Sequence, residues 1–350
     1  MPAATPIFFV VKNRALAVTI LATLVCAPSA APADVTAADR SAVVERVAQA
    51  LETAPYDLSA GRAAAKVLRA RSQAGAYDAL SDDAAFAKAL TEDGDGVLHD
   101  KHWSVRVRPV SSGPAPDAAA RAESERRSNY GIATVSVLPG NVGYLDVRGF
   151  ADPQFAVPRI DQAMRLLDQS DALIIDLRRN GGGTESFARL MSWLLPGGAP
   201  QIVERLQMRL SSGEMIENDT RTTAIAGRTF ADRPVWILTS RRTFSAAEAF
   251  TYHTRLRRSV RLVGETTGGG GHPNSFVRIN ETFVASIPTG RSWDPIDRGN
   301  WDGVGIAPDV ATTASDAFKT AYIDALHAAA PRLADELQAV SASELDPARR

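Results

Sequence analysis

Val235-Trp236-Ile237-Leu238-Thr239-Ser240-Arg241-Arg242-Thr243-Phe244-Ser245-Ala246-Ala247-Glu248-Ala249-Phe250 is the stretch on which the reading of the fold turns. Val235 to Leu238 is an apolar run that reads as a buried strand, and the residues after Ser245 have the apolar spacing of a helix. Ser245 then stands at a helix N-terminus, where free backbone N–H groups and the positive dipole end favour a developing negative charge. A nucleophilic serine needs that setting. A plainer reading fits the same residues: Ser245 and Glu248 form S-x-x-E, a capping box that starts a helix. The stretch is not a G-x-S-x-G nucleophile elbow, because Phe244 and Ala246 flank the serine.

A second loop repeats the design. Ala172 to Leu177 reads as a buried strand, and Arg178-Arg179-Asn180-Gly181-Gly182-Gly183-Thr184 follows before a helix from about Thr184 to Leu194. Consecutive glycines free the backbone to aim N–H groups into a small space. Three readings stay open: an oxyanion hole shared with the Ala246 N–H, a phosphate cradle, or a tight turn. The loop lacks the G-K-[ST] ending of a P-loop and the spacing of a dinucleotide fingerprint. Further glycine-rich stretches, 264–273, 288–295 and 299–309, suggest a cleft lined by loops.

Working outward, residues 130–313 alternate strands and helices, which argues for an α/β core. Upstream, 34–110 reads as a small helical domain with stripes at Val43, Val44, Val47 and Leu51, at Ala64 and Leu68, and at Phe86 and Leu90. It ends in an alternating strand at 102–108. Residues 111–129 read as a linker opening on Ser-Ser-Gly-Pro, and 314–350 as a C-terminal helix and tail. The chain has 350 residues, 45% hydrophobic and 23% charged, with net charge −1. Nothing in that balance points to nucleic acid. At the N-terminus, Lys12 and Arg14 precede an apolar run from Ala15 to Cys26, and an A-x-A end at Ala31–Ala33 follows. Residues 1–33 therefore read as a signal peptide, cut before Asp34, with a periplasmic or secreted product and no stable membrane insertion afterwards. Cys26 is the single cysteine, so the mature chain is expected to have no disulfide and no thiol nucleophile.

The runs IIDLRRNGGG (174–183), TSRRTFSAAEAF (239–250), VGETTGGGGHP (263–273), IPTGR (287–291) and NWDGVGIAPDV (300–310) occur in order, with DKHWSVR (100–106) upstream. Together they resemble the C-terminal-processing (tail-specific) serine peptidase family, in its tricorn and interphotoreceptor retinoid-binding protein-like branch without a PDZ domain. The resemblance implies a crotonase-like α/β core of ββα units behind the helical domain. It places Ser245 on the family's nucleophile, and it places Ala246 with Gly181 or Gly182 on the oxyanion hole. Many members use a Ser/Lys dyad, but no lysine lies between Ser245 and Lys319. The tricorn-like branch uses a histidine and a late acidic residue, which match His102 and Asp302 here. Asp302 stands where glutamate is usual, and Lys101 where the tricorn set has a serine.

His272, in the glycine loop, is the alternative base. His253 reads as packing or surface, His327 as a solvated helix face and His99 as a turn residue. No His/Asp/Glu set has zinc spacing, so neither metal nor cofactor is expected. The implied activity is an exported serine peptidase acting on peptides or unfolded proteins through an acyl-enzyme. The competing reading is a weakly active or inactive carrier of apolar ligands on the same fold. Oligomeric state is not legible.

Overall fold

The computed structural model describes residues 37–108, 118–196, 200–338 and 340–349. The signal-peptide reading and Cys26 lie outside the described residues. Three helices open the described chain: α1 (Ala37–Thr53), α2 (Leu58–Gln73) and α3 (Asp83–Leu98). Asp57 and Asp82 cap α2 and α3, each accepting backbone N–H groups of the first turn. Their apolar stripes bury Val47, Leu51, Leu68, Phe86 and Leu90 completely.

That helical set does not close its own core. Strand β1 (Ser104–Val107) is followed by α4 (Ala118–Arg127), which occupies part of the stretch read as linker. Much later come β9 (Asn274–Arg278) and β10 (Phe283–Pro288), and β1 pairs antiparallel with β10, Ser104 opposite Ser286. Ile279, Phe283, Ala285 and Ile287 complete the core begun by the three helices. A lobe of three short helices leaves an apolar face uncovered, and the later hairpin covers it.

The main layer is a six-stranded sheet. Its members are β2 (Ile132–Leu138), β3 (Val142–Val147), β4 (Ala172–Asp176), β7 (Val235–Thr239), β8 (Arg261–Gly264) and β12 (Val310–Ala311). The order is β12-β8-β7-β4-β3-β2, antiparallel between β2 and β3 and parallel elsewhere. Parallel strands buried on both faces read as continuous apolar runs, and that explains the sequences of β4 and β7. Leu173, Ile175, Val235 and Ile237 point to one face, against α5 (Pro153–Leu167), α6 (Phe187–Ser192) and α7 (Ala246–Arg255). Ile174, Trp236 and Leu238 point to the other, against α8 (Ala317–Ala329).

A smaller antiparallel sheet, β5 (Ile202–Arg209), β6 (Met215–Arg221) and β11 (Gly290–Trp293), has the order β11-β5-β6. The stretch 314–350, read as a C-terminal helix and tail, holds more than one helix. α8 ends at Ala329, with Ala330 as its C-cap, and α9 (Pro331–Gln338) begins at a proline, which suits a first helical position and interrupts an interior one. A short α10 (Ala342–Leu345) follows. Asp346 beyond it is buried and bonds the Arg178 guanidinium, which also grips Asp176 at the end of β4. Among the described residues, no helix is long and apolar enough to cross a membrane.

Candidate active site

Parallel strands deliver their C-terminal ends, and the loops after them, to one edge of the sheet. The loops after β4 and β7 meet there, where the Phe244 N–H donates to the Asn180 carbonyl at 3.0 Å. Ser245 is the N-cap of α7 with φ 55° and ψ −123°, a strained backbone for a residue with a Cβ. The elbow geometry thus exists without the elbow motif. The space that small flanking residues would give comes from other loops. A Cβ on Gly182 would sit 2.7 Å from the Ser245 Cβ, and one on Gly270 would sit 2.2 Å from the Phe244 ring.

His102 lies between α3 and β1, and its Nε2 is 3.2 Å from the Ser245 Oγ. Its ring packs against Phe244 at 4.7 Å between centroids. Burial lowers its pKa to about 4, the field of Asp100 opposing that shift only in part. A base that stays neutral so far below the usual 6.5 can accept a proton over a wide range. The kcat/KM profile is accordingly expected to fall on the acid side with a midpoint near pH 4, because only the unprotonated imidazole accepts the serine proton. A pH–rate series checks this; a midpoint near 6.5 would point to a solvated base.

Asp302 is not placed on His102. Its Oδ1 accepts the Gly271 N–H at 2.9 Å, and its Oδ2 is 3.5 Å from the Nδ1 of His272. The Nδ1 of His102 is buried with no partner among the described residues. The carboxylate nearest the base is Asp100, which sequence reasoning passed over. Its Oδ1 accepts the His102 backbone N–H at 2.8 Å, and its Oδ2 meets the His272 Nδ1 at 2.7 Å. Burial opposes charging His272, but the bond to Asp100 and the charge of Asp302 outweigh it and raise its pKa. Asp100, His272 and Asp302 are the one set among the described residues whose donor atoms cluster within 4.8 Å, close enough for a cation. In this arrangement they are bonded to one another as an ion-paired cluster.

The amides proposed for an oxyanion divide as well. The Gly182 N–H donates to the side chain of Asn180 at 2.9 Å, so it is not free. The N–H groups of Ala246, Gly181 and Gly183 have no acceptor among the described residues. Gly182 serves by its lack of a side chain, as its approach to Ser245 shows.

Glu248 carries more than a cap. It closes a capping box with Ser245, its Oε2 accepting the Ser245 N–H at 2.9 Å. The same buried carboxylate accepts the N–H groups of Gly269 and Gly270, at 2.7 and 2.8 Å, and the hydroxyl of Thr267. One side chain therefore holds both the strained nucleophile and the glycine loop that bears His272. Asn300 and Trp301 hold that loop from the other side, donating to the carbonyls of Gly271 and Gly270. Glu248→Ala leaves several donors buried without an acceptor, at about 1–3 kcal/mol each. It is expected to cost about 3–5 kcal/mol in all, read as a fall of roughly 5–15 °C in Tm.

The remaining candidates fall elsewhere. His253 is fully buried, with its Nδ1 2.6 Å from Asp294. His327 is exposed, and His99 takes the left-handed C-cap of α3. A cavity of about 490 Å³ opens beside Ser245 and Ala246, and its wall includes Phe187, Glu204, Leu206, Ala249, His272 and Trp301.

A family match supports a serine-type peptidase. Residues 141–312 match the model of peptidase family S41. Among solved structures, a candidate peptidase from Parabacteroides merdae is 18% identical with a TM-score of 0.51, over 79% of this chain and 90% of that one. A lipoprotein from Streptococcus agalactiae is 14% identical with a TM-score of 0.50, over 83% of this chain and 96% of that one. At those identities the likeness is one of fold.

Proposed function

We propose that the protein is an exported serine peptidase that cleaves peptide bonds through an acyl-enzyme, on a core of the crotonase-like kind. The observation that carries the reading is the His102 Nε2 at 3.2 Å from the Oγ of a strained, helix-capping Ser245. As a peptide carbonyl settles against Ser245, the Oγ attacks its carbon while the His102 Nε2 takes the hydroxyl proton. The tetrahedral oxyanion lies against the free Ala246 N–H, at the positive end of α7, and an amide of Gly181 or Gly183. His102 then returns its proton to the leaving amine, and the same imidazole activates a water to release the acid. Asp100 positions His102 through its backbone, and Asp302 acts through His272. Substrates are peptides or unfolded segments, which can reach the cavity that opens beside Ser245.

Export rests on the sequence 12–33, and a mature N-terminus at Asp34 found by N-terminal sequencing of the native protein would support it. For the chemistry, an activated ester such as p-nitrophenyl acetate is expected to release a burst of about one equivalent per enzyme before steady turnover. New peptide termini should also appear in a digested unfolded protein. The absence of both a burst and new termini would contradict the reading.

A further inference from the structure

Glu204, on β5, is a buried carboxylate in the wall of the cavity that opens beside Ser245. Its Oε2 accepts the Thr220 hydroxyl at 3.0 Å. Its Oε1 has a single cationic neighbour, the Nε2 of His253 at 3.8 Å, which is beyond hydrogen-bond distance. His253 in turn directs its Nδ1 to Asp294, and Arg257 binds both oxygens of Asp294 at 2.6 and 3.2 Å. Asp294 is therefore matched by a guanidinium, whereas Glu204 has only the Thr220 hydroxyl at hydrogen-bond distance and the more distant His253 imidazole, whose burial is outweighed by Asp294 and Glu204, so that its pKa is raised. Of the other charged groups in the wall, Arg221 is engaged by Asp219 at 3.0 Å, His272 is held by Asp100 at 2.7 Å, and Glu185 adds a further negative charge.

The wall is mixed: Phe187, Leu206, Met208, Ala249 and Trp301 supply its apolar part, beside polar groups such as Thr184, Asn218 and Asn274. A pocket with apolar patches and a buried carboxylate that lacks a charged partner at hydrogen-bond distance suits a ligand with an apolar stem and a cationic head. Burying such a head is unfavourable unless it finds a counter-charge, and Glu204 supplies one. A neutral side chain entering the same pocket would leave Glu204 desolvated and unpaired, which builds discrimination against it.

We propose that Glu204 makes this cavity a pocket for a lysine or arginine side chain on the residue whose carbonyl Ser245 attacks. The inference rests on the peptidase reading above and adds the substrate class. The cavity shares Ser245 and Ala246 with the reacting carbonyl, so a side chain on that residue is the one placed to enter it.

The test compares peptide aminomethylcoumarin amides that differ only in lysine or norleucine at that position, since norleucine keeps the stem and lacks the cation. The wild-type enzyme is expected to favour lysine by roughly 10²-fold in kcat/KM, and Glu204→Gln to reduce that ratio at least roughly ten-fold. A wild-type ratio near one or below, or an unchanged ratio in Glu204→Gln, overturns the proposal. A measurement free of the variant is protection of the wild-type serine by n-butylguanidine against a peptidyl diphenyl phosphonate; n-butanol should not protect. Equal effects of the two would also overturn it. A simple fluorophosphonate without a side chain separates the two levels. Labelling of Ser245 without lysine preference sinks only the pocket assignment, whereas no labelling removes the peptidase reading and this inference with it.

Discussion

Ser245→Ala is expected to lower kcat by roughly 10⁴–10⁶-fold while leaving the fold in place. The substitution removes one atom, the Oγ that faces His102 at 3.2 Å, and no other hydroxyl shares that contact. The strained backbone is held by bonds that do not use the side chain: the Ser245 N–H to Glu248, and its carbonyl to the N–H groups of Glu248 and Ala249. Loss of a capping hydroxyl costs about 1 kcal/mol, so Tm should change by only a few degrees. Residual turnover would come from the amides of Ala246 and the glycine loop, which still polarise a bound carbonyl. Steady-state kinetics beside a thermal melt checks both halves. A variant that keeps more than a tenth of wild-type activity would exclude Ser245 as the nucleophile.

His102→Ala should cost as much, roughly 10⁴–10⁶-fold, and the double variant with Ser245→Ala no more than either alone, since two groups acting as one unit are not additive. The rival base is His272, and the geometry separates the two. His272 is committed through its Nδ1 to Asp100 and Asp302, and its pKa is raised, whereas that of His102 is lowered. His272→Gln is therefore expected to cost at most roughly 10²-fold, through misplacement of Asp100. Asp302→Asn should be milder still, because Asp302 holds the glycine loop and does not touch His102. Comparing the four variants in kcat/KM decides it. A large loss in His272→Gln with activity kept in His102→Ala would reverse the assignment.

Much of this site was legible from local pattern. The junction at Ser245, the glycine loop at 181–183 and the apolar runs of β4 and β7 follow from periodicity and backbone rules, and the structure places those elements side by side. The resemblance places Gly182 on the oxyanion hole, but the Asn180 side chain takes its N–H, a bond to the amide two residues on that sequence reasoning did not weigh. The helix Ala118–Arg127 is rich in alanine, glutamate and arginine, and those propensities were outweighed by the Ser/Gly/Pro residues before it. What pattern does not reach is tertiary choice. Whether Asp302 meets His102 or His272 depends on how the loops at 271 and 302 pack, and Gly271 takes one Asp302 oxygen and fixes the other near His272. Nor does spacing reveal that β1 pairs with a strand about 180 residues later, or that Glu248 holds two loops at once.

The most direct measurement is the site of covalent attachment after brief exposure to a fluorophosphonate, read by tandem mass spectrometry at pH 7 and again at pH 3. One phosphonyl group on Ser245 is expected at pH 7, with labelling sharply reduced at pH 3, where His102 is protonated. Attachment at another residue, no attachment, or labelling as fast at pH 3 as at pH 7 would contradict a Ser245 nucleophile activated by His102.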